Sequence, residues 1–548
     1  MHAHNVKSNL SHIFRACRRG FFYTLGLSCL INILMLTIPI YMLQVFDRVI
    51  PSQSFDTLVY LTMIAVFAVI VLGMLDVART LIMTRIGTWI DNQLSPIALA
   101  RSIDHTLLGG NYGAQSLADI TNIRQFLSSS SIYAFFDAPW IFIYLTVIFM
   151  LYIPLGLIAT LGGVILFLLT LLNERVSRVP LHKANILHMQ NQTSIQNHLK
   201  NAESIQAMGM ISALTKHWFT KNDDVLMLQT EASDRSGMVL SVSKVVRMTL
   251  QILILGAGAY YVVSGEISSG AMLASSIILS RALAPIEQSI GVWKQAVTSK
   301  QAYHRLQQYF RAPEVPRSDL QLPKPKGLVT VENLLYVPVG SNKAILNHIN
   351  FTLKPGESLA IIGRSGSGKS TLARLLIGVW VPSSGSVRLD GADIYEYSRD
   401  EIGHHIGYLP QGMTLFPGSV KENIARMGDI DDNKVIAAAK FVNAHDMILH
   451  FEHGYEAATD TYSLSGGQRQ WVGLARAFYG LPRFVILDEP ESNLDQQGLL
   501  ALEVTLKRAK AAGITLVMVT QRPSCAAFCE HIMTVEHGQI TNMRLTPQ

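Results

Sequence analysis

The sequence predicts two halves of different class: an all-α, polytopic membrane half of six helices, then an α/β half built around a phosphate-binding loop. Three observations predict this. Of 548 residues, 49% are hydrophobic and only 15% charged, where a soluble domain carries about 25% charged residues. The charge deficit lies in roughly the first 300 residues, as uncharged runs long enough to cross a membrane. The more polar remainder holds Gly363-Arg-Ser-Gly-Ser-Gly-Lys369-Ser370-Thr371 between a short apolar run and a helical stretch.

About 20 apolar residues in helix cross the hydrocarbon core. Phe21 to Phe46 and Thr57 to Leu75 are the first two such runs. A third and a fourth share one long stretch, the third starting near Ile132 and tolerating Asp137, with Pro154 and Gly156 breaking the stretch before Asn173. Met248 to Gly265 is the fifth, starting near Met238, and Ser269 to about Trp293 the sixth. The sixth holds Arg281 and Glu287, and a mid-helix charge costs about 2.5–3.5 kcal/mol on insertion scales. Both are therefore expected to face the bundle interior or to lie near the cytoplasmic end. Lys7, Arg15, Arg18 and Arg19 precede the first run, which is too long for a signal-peptide core and is read as a retained helix.

Connections after the first, third and fifth spans are short: Asp47 to Asp56, the turn at Pro154, and Ser264 to Ser268. Those after the second and fourth run for tens of residues. One carries Arg79, Arg85, Arg101 and Arg124, and the other Arg175, Arg178, Lys183, Lys200, Lys216 and Lys221. Long basic segments on one side put both termini in the cytoplasm. They also read as helices, turning at Gly109–Gly113 and Met208-Gly209-Met210. The net charge of +6 and the pI of about 9.0 follow from the same asymmetry. No Lys/Arg tract interleaved with aromatics points to nucleic acid. The four cysteines, Cys17, Cys29, Cys525 and Cys529, suggest no disulfide framework, and Cys525 and Cys529, spaced i, i+4, are read as ordinary helix residues.

The expected organisation is a cytoplasmic segment 1–20, a transmembrane domain 21–310 with cytoplasmic helical extensions, a Pro-rich charged linker 311–326, and a soluble domain 327–548. In the last, Leu328 to Val331 and Ser358 to Ile362 read as strands. Gly363, Ser365, Gly366, Ser367, Gly368, Lys369, Ser370 and Thr371 form a Walker A loop. Its backbone N–H groups and the following helix N-terminus converge on phosphate. Lys369 is assigned to the β/γ-phosphates of ATP and Ser370 to Mg2+. The apolar strand Phe484-Val-Ile-Leu-Asp488-Glu489 ends in two acids, Asp488 for Mg2+ and Glu489 as general base.

Leu464-Ser465-Gly466-Gly467-Gln468 resembles the signature of ABC transporters. The resemblance implies that this motif completes the ATP site of a second copy, so a chain with one ATPase domain works as a homodimer. It makes Gln411 the residue that senses Mg2+ and the membrane domain, and Ser492-Asn-Leu-Asp495 the D-loop, with Asn493 where Ala is usual. Two features depart from the family. Gln521, in Thr520-Gln-Arg-Pro523, stands where the family has His; it is expected to donate to a γ-phosphate oxygen but cannot carry a proton, so slow hydrolysis and functional replacement are both open. Pro338 stands at the usual base-stacking position, leaving Tyr336 as the nearest aromatic candidate, against a strand residue of the core.

The membrane half carries its own likeness. Pro39-Ile-Tyr-Met-Leu-Gln-Val-Phe-Asp47-Arg48-Val49, Phe135-Phe-Asp137-Ala-Pro139-Trp140 and Arg281-Ala-Leu-Ala-Pro285-Ile-Glu287 resemble type I secretion ABC transporters, nearest the protease-secretion branch. With the first span beginning near residue 21, a leader-cleaving exporter is not expected. The resemblance implies the type I ABC exporter fold plus a P-loop ATPase domain, in a homodimer of the bacterial inner membrane. It further implies a periplasmic adaptor, an outer-membrane channel, contact with membrane lipid, and export of unfolded polypeptides with a C-terminal signal. A lipid or small-molecule exporter, or a low-turnover nucleotide-gated scaffold, are the alternatives.

Overall fold

The computed structural model describes residues 10–107, 113–199, 201–311, 322–338, 340–459 and 464–545. The chain divides into two compact units, Met1–Ile103 with Tyr112–Ala312, and Asp104–Asn111 with Pro313–Gln548. The expected turn at 109–112 and most of the expected linker lie outside the described residues.

In the first unit, six helical segments are long and apolar enough to cross a membrane: Arg18–Ser52, Phe55–Leu107, Ser130–Leu151, Ile153–Leu199, Ile211–Val263 and Ser269–Gly291. They fall where the uncharged runs predict. Tyr152, in extended conformation, separates the third from the fourth at the expected break. The second span leaves its apolar side chains outward, Val59, Phe67 and Ile70 among them. A soluble protein rarely exposes so continuous an apolar face, which is what a membrane-crossing helix presents. The second, fourth and fifth spans continue as helix well past their apolar windows, and Gly209 turns the chain at φ +63° before the fifth begins.

Polar contacts tie the spans together. Asp47 lies in a π-helical turn, Val45–Val49, at the end of the first span. Its carboxylate accepts from the Gly270 N–H at 2.9 Å and from the Ser268 hydroxyl, and so caps the sixth span. Arg79, grouped with loop charges on sequence grounds, is buried inside the bundle instead. Its guanidinium donates to both oxygens of Asp137 at 3.0 and 3.1 Å, to Ser28 at 3.1 Å and to Asp76 at 2.7 Å. Asn32 donates to Asp137 at 3.0 Å and accepts from the Tyr144 hydroxyl at 2.9 Å. Asp137 is thus tolerated because a cation from the second span reaches it, a pairing that no local window shows. Glu287 meets Arg247 of the fifth span at 2.6 Å, an interior placement as expected, whereas Arg281 is exposed. Its helix buries Ile278, Leu279, Ala282, Leu283 and Ile286, and Arg281 projects from the opposite side.

The second unit holds two sheets. Strands β1 (Val329–Tyr336), β2 (Leu346–Leu353), β4 (Ser384–Leu389) and β5 (Ala392–Asp393) form one, antiparallel and ordered β2-β1-β4-β5. The other is ordered β10-β9-β3-β8-β7-β6, with β3 (Ser358–Ile362), β6 (Ile406–Leu409), β7 (Phe484–Asp488), β8 (Thr515–Val519) and β9 (His531–Glu536) all parallel. Strand β10 (Gln539–Leu545) closes the edge antiparallel to β9. β7 and β8 are buried at every residue, as befits central parallel strands covered on both faces. Parallel pairing brings the carboxyl ends of β6, β7, β8, β3 and β9 to one rim, where ligands of open α/β sheets bind. Cys525 lies in the short helix Pro523–Ala526 and Cys529 just past its end, both buried. They do not share the helix that their spacing suggested.

Candidate nucleotide-binding site

β3 runs straight into the glycine loop. Gly363 has φ +154°, and a Cβ there would collide with the Val535 carbonyl, so only glycine lets the loop leave the sheet at this angle. Gly366 and Gly368 follow at φ +80° and +101°, and Gly368 caps the helix Lys369–Leu376. Lys369 is 5% exposed, its ammonium donating to the carbonyls of Gly363 and Arg364, both at 2.8 Å. Burial lowers its pKa, opposed by the nearby Glu489 and Asp488.

At the end of β7, Asp488 accepts from the Ser370 hydroxyl at 3.2 Å. Burial raises its pKa; the Ser370 hydrogen bond and the cations Arg374 and Lys369 oppose this. Its second oxygen, Oδ2, and the Ser367 hydroxyl are buried without a hydrogen-bond partner among the described residues. An orphaned oxygen of Asp488, on a carboxylate whose other oxygen meets the Ser370 hydroxyl, is a donor set that suits a hard divalent cation with phosphate. The residues fit Mg2+ and a nucleotide.

Glu489 adopts φ +52°, a left-handed strain of the kind that clusters at functional sites. Two amides hold its carboxylate. Gln411, just past β6, donates to Oε2 at 2.9 Å, and Gln521, just past β8, donates to Oε1 at 2.5 Å. The residue in the switch position therefore engages the carboxylate directly, a contact that the sequence did not suggest. A cavity of about 550 Å3 joins these groups. Its walls include Ser365, Gly366, Gly368–Thr371, Gln411, Glu489 and Gln521 and, beyond them, Pro338, Lys343, Ile345, His537 and Gly538.

Tyr336 is not among the lining residues. Its ring stacks on Trp380 at 5.3 Å and 16°, and the Arg374 guanidinium covers the other aromatic at 4.7 Å. The base-stacking expectation thus meets a half-buried ring already stacked on Trp380 against the core, because β1 carries Tyr336 into the antiparallel sheet.

The signature residues lie apart from this cavity. Ser465 caps the helix Gly466–Phe478, accepting from the Gln468 N–H at 3.2 Å while the Gln468 side chain accepts from the Ser465 N–H at 2.8 Å. This capping box leaves a rigid, exposed helix N-terminus, suited to an anion. Gly466 and Gly467 lie against Asn493. Asn493 itself has φ +62°, a conformation that Asn adopts more readily than Ala, which accounts for its presence in the D-loop. Asp495 accepts from the Gly498 N–H at 2.7 Å and caps the helix Gln496–Ala511.

Sequence reasoning missed Lys343, Ile345 and the His537-Gly538 turn as cavity walls. The turn was legible as two positive-φ candidates between apolar strands; its place beside the loop needed the strand order.

Residues 346–492 match the model of the family described as ABC transporter. The type I secretion system ATP-binding protein PrsD of Rhizobium meliloti (strain 1021) is 37% identical over 532 residues, spanning 96% of this chain and 91% of PrsD. The leukotoxin translocation ATP-binding protein LktB of Mannheimia haemolytica is 27% identical over 538 residues, spanning 95% of this chain and 75% of LktB. Among solved structures, a bacterial Atm1-family ABC exporter with ATP bound superposes with a TM-score of 0.80 at 20% identity, covering 97% of this chain and 95% of that one. At that identity the likeness is one of fold.

Proposed function

Since this chain belongs to the type I secretion ABC transporters, we propose that it uses ATP to export unfolded polypeptides with a C-terminal signal across a bacterial inner membrane. The observation that carries this reading is the 37% identity to a secretion protein along both halves, the membrane half included. The unit is a homodimer with both termini cytoplasmic, joined to a periplasmic adaptor and an outer-membrane channel.

In this mechanism the backbone N–H groups of Gly363 to Thr371 and the helix N-terminus receive the phosphates. Lys369 turns from its loop carbonyls to the β/γ-phosphates. Ser370, Asp488 and Gln411 would hold Mg2+, which neutralises phosphate charge when bound. Glu489 accepts the proton of the attacking water, and Gln411 and Gln521 fix the direction of its carboxylate. Ser465 to Gln468 and Asp495 complete the cavity of the second copy.

The test is a comparison of extracellular proteins and outer-leaflet lipids from cells with and without the chain. Loss of discrete polypeptides from the medium, with lipids unchanged, is expected. Unchanged proteins with altered lipids would replace the polypeptide reading by a lipid exporter.

A further inference from the structure

We infer that His537 packs its imidazole against the base of the bound nucleotide, supplying the ring contact that β1 does not provide. The inference rests on the nucleotide reading of this cavity and deepens it. The order of strands orients the ligand. Glu489 and Gln521 follow β7 and β8 on one side of the loop that ends β3, and His537 follows β9 on the other. With the terminal phosphate held toward Glu489, the nucleoside half extends toward the β9 side of the rim.

Ring partners are scarce on that side. Tyr336 is stacked on Trp380, and the wall residue near it is Pro338, which has no π-face. His537 and Gly538 both line the cavity. Among the described residues the His537 ring has no hydrogen-bond or ion-pair partner.

The turn is built to hold the backbone that carries that ring in place. His537 at φ +49° and Gly538 at φ +78° are the two central residues of a tight hairpin between β9 and β10. Left-handed values at both positions define the turn type for which Asn-Gly is preferred. A histidine stands where asparagine would fit the backbone better. Its neighbours fix the turn: the Asn347 N–H donates to the Gly538 carbonyl at 2.8 Å, and a Cβ at Gly538 would collide with the Ile345 carbonyl. Ile345 is itself a cavity wall, so the turn is a fixed platform beside the site.

The experiment is calorimetric titration of the full-length purified chain with ADP and with inorganic tripolyphosphate. His537→Asn keeps the turn and removes the imidazole; His537→Phe restores a ring. Base–aromatic stacking predicts that His537→Asn weakens ADP roughly tenfold and that His537→Phe recovers most of it. Tripolyphosphate should bind all three proteins alike, because it has no base. ADP affinity unchanged in His537→Asn would overturn the inference, as would a parallel loss of tripolyphosphate. A wild-type chain that binds neither ADP nor tripolyphosphate would overturn the nucleotide reading as well.

Discussion

Replacing Gln521 tests how the carboxylate of Glu489, the proposed general base, is aimed. Its amide is 2.5 Å from one oxygen of Glu489, and that of Gln411 is 2.9 Å from the other. A hydrogen bond to a charged group contributes about 1.5–3 kcal/mol. This pair lies at an exposed rim, so the lower end applies, and about 1.36 kcal/mol is tenfold in rate. Gln521→Ala should therefore lower kcat roughly tenfold in steady-state ATPase assays. KM for ATP should move less than about twofold, because the phosphate loop is untouched. Gln521→His, which keeps a donor, should retain or raise turnover. A Gln521→Ala enzyme within about twofold of wild type in kcat would refute the positioning role.

Three further outcomes follow from the same geometry. Glu489→Gln should bind ATP yet lose at least about a hundredfold in turnover, because a carboxamide accepts no proton; wild-type turnover would remove Glu489 from the base role. A tandem fusion of a Lys369→Ala copy with a Ser465→Arg copy should match a fusion damaged at one site only, since one composite site then stays intact; complete inactivity of the first fusion alone would contradict trans-assembled sites. Arg79→Leu should leave the half-buried Asp137 carboxylate without its cation and with Asn32 as its remaining partner, a loss of at most about 3 kcal/mol, the lower end for a broken buried pair, seen as a lower melting temperature, and Arg79→Leu with Asp137→Leu should recover most of it.

Much of this architecture was legible in the sequence because its signals are local. Uncharged runs locate the spans, and Pro154 with Gly156 marks the break before the fourth. Strands β3 and β7 begin and end where the runs Ser358 to Ile362 and Phe484 to Asp488 do. What escaped was pairing over long separations. Arg79 reads as a loop cation until Asp137, 58 positions away, is brought beside it. Arg281 illustrates the opposite limit, since the period of its helix does not say which side stays open. At the nucleotide site the loop, the two acids and the capped signature helix carry fixed spacings. The contact of Gln411 and Gln521 with Glu489 depends instead on β6, β7 and β8 being neighbours, and the nearness of His537 on β9 pairing with β3. Tyr336 was the nearest aromatic in sequence, but strand register turned it onto Trp380.

The most direct test of the account is the protein content of the medium from cells carrying either the wild-type chain or Glu489→Gln at equal membrane levels. ATP-driven polypeptide export predicts that specific proteins leave the medium and accumulate inside cells carrying Glu489→Gln. An identical set of extracellular proteins from both, with ATPase activity lost only in the variant, would contradict it.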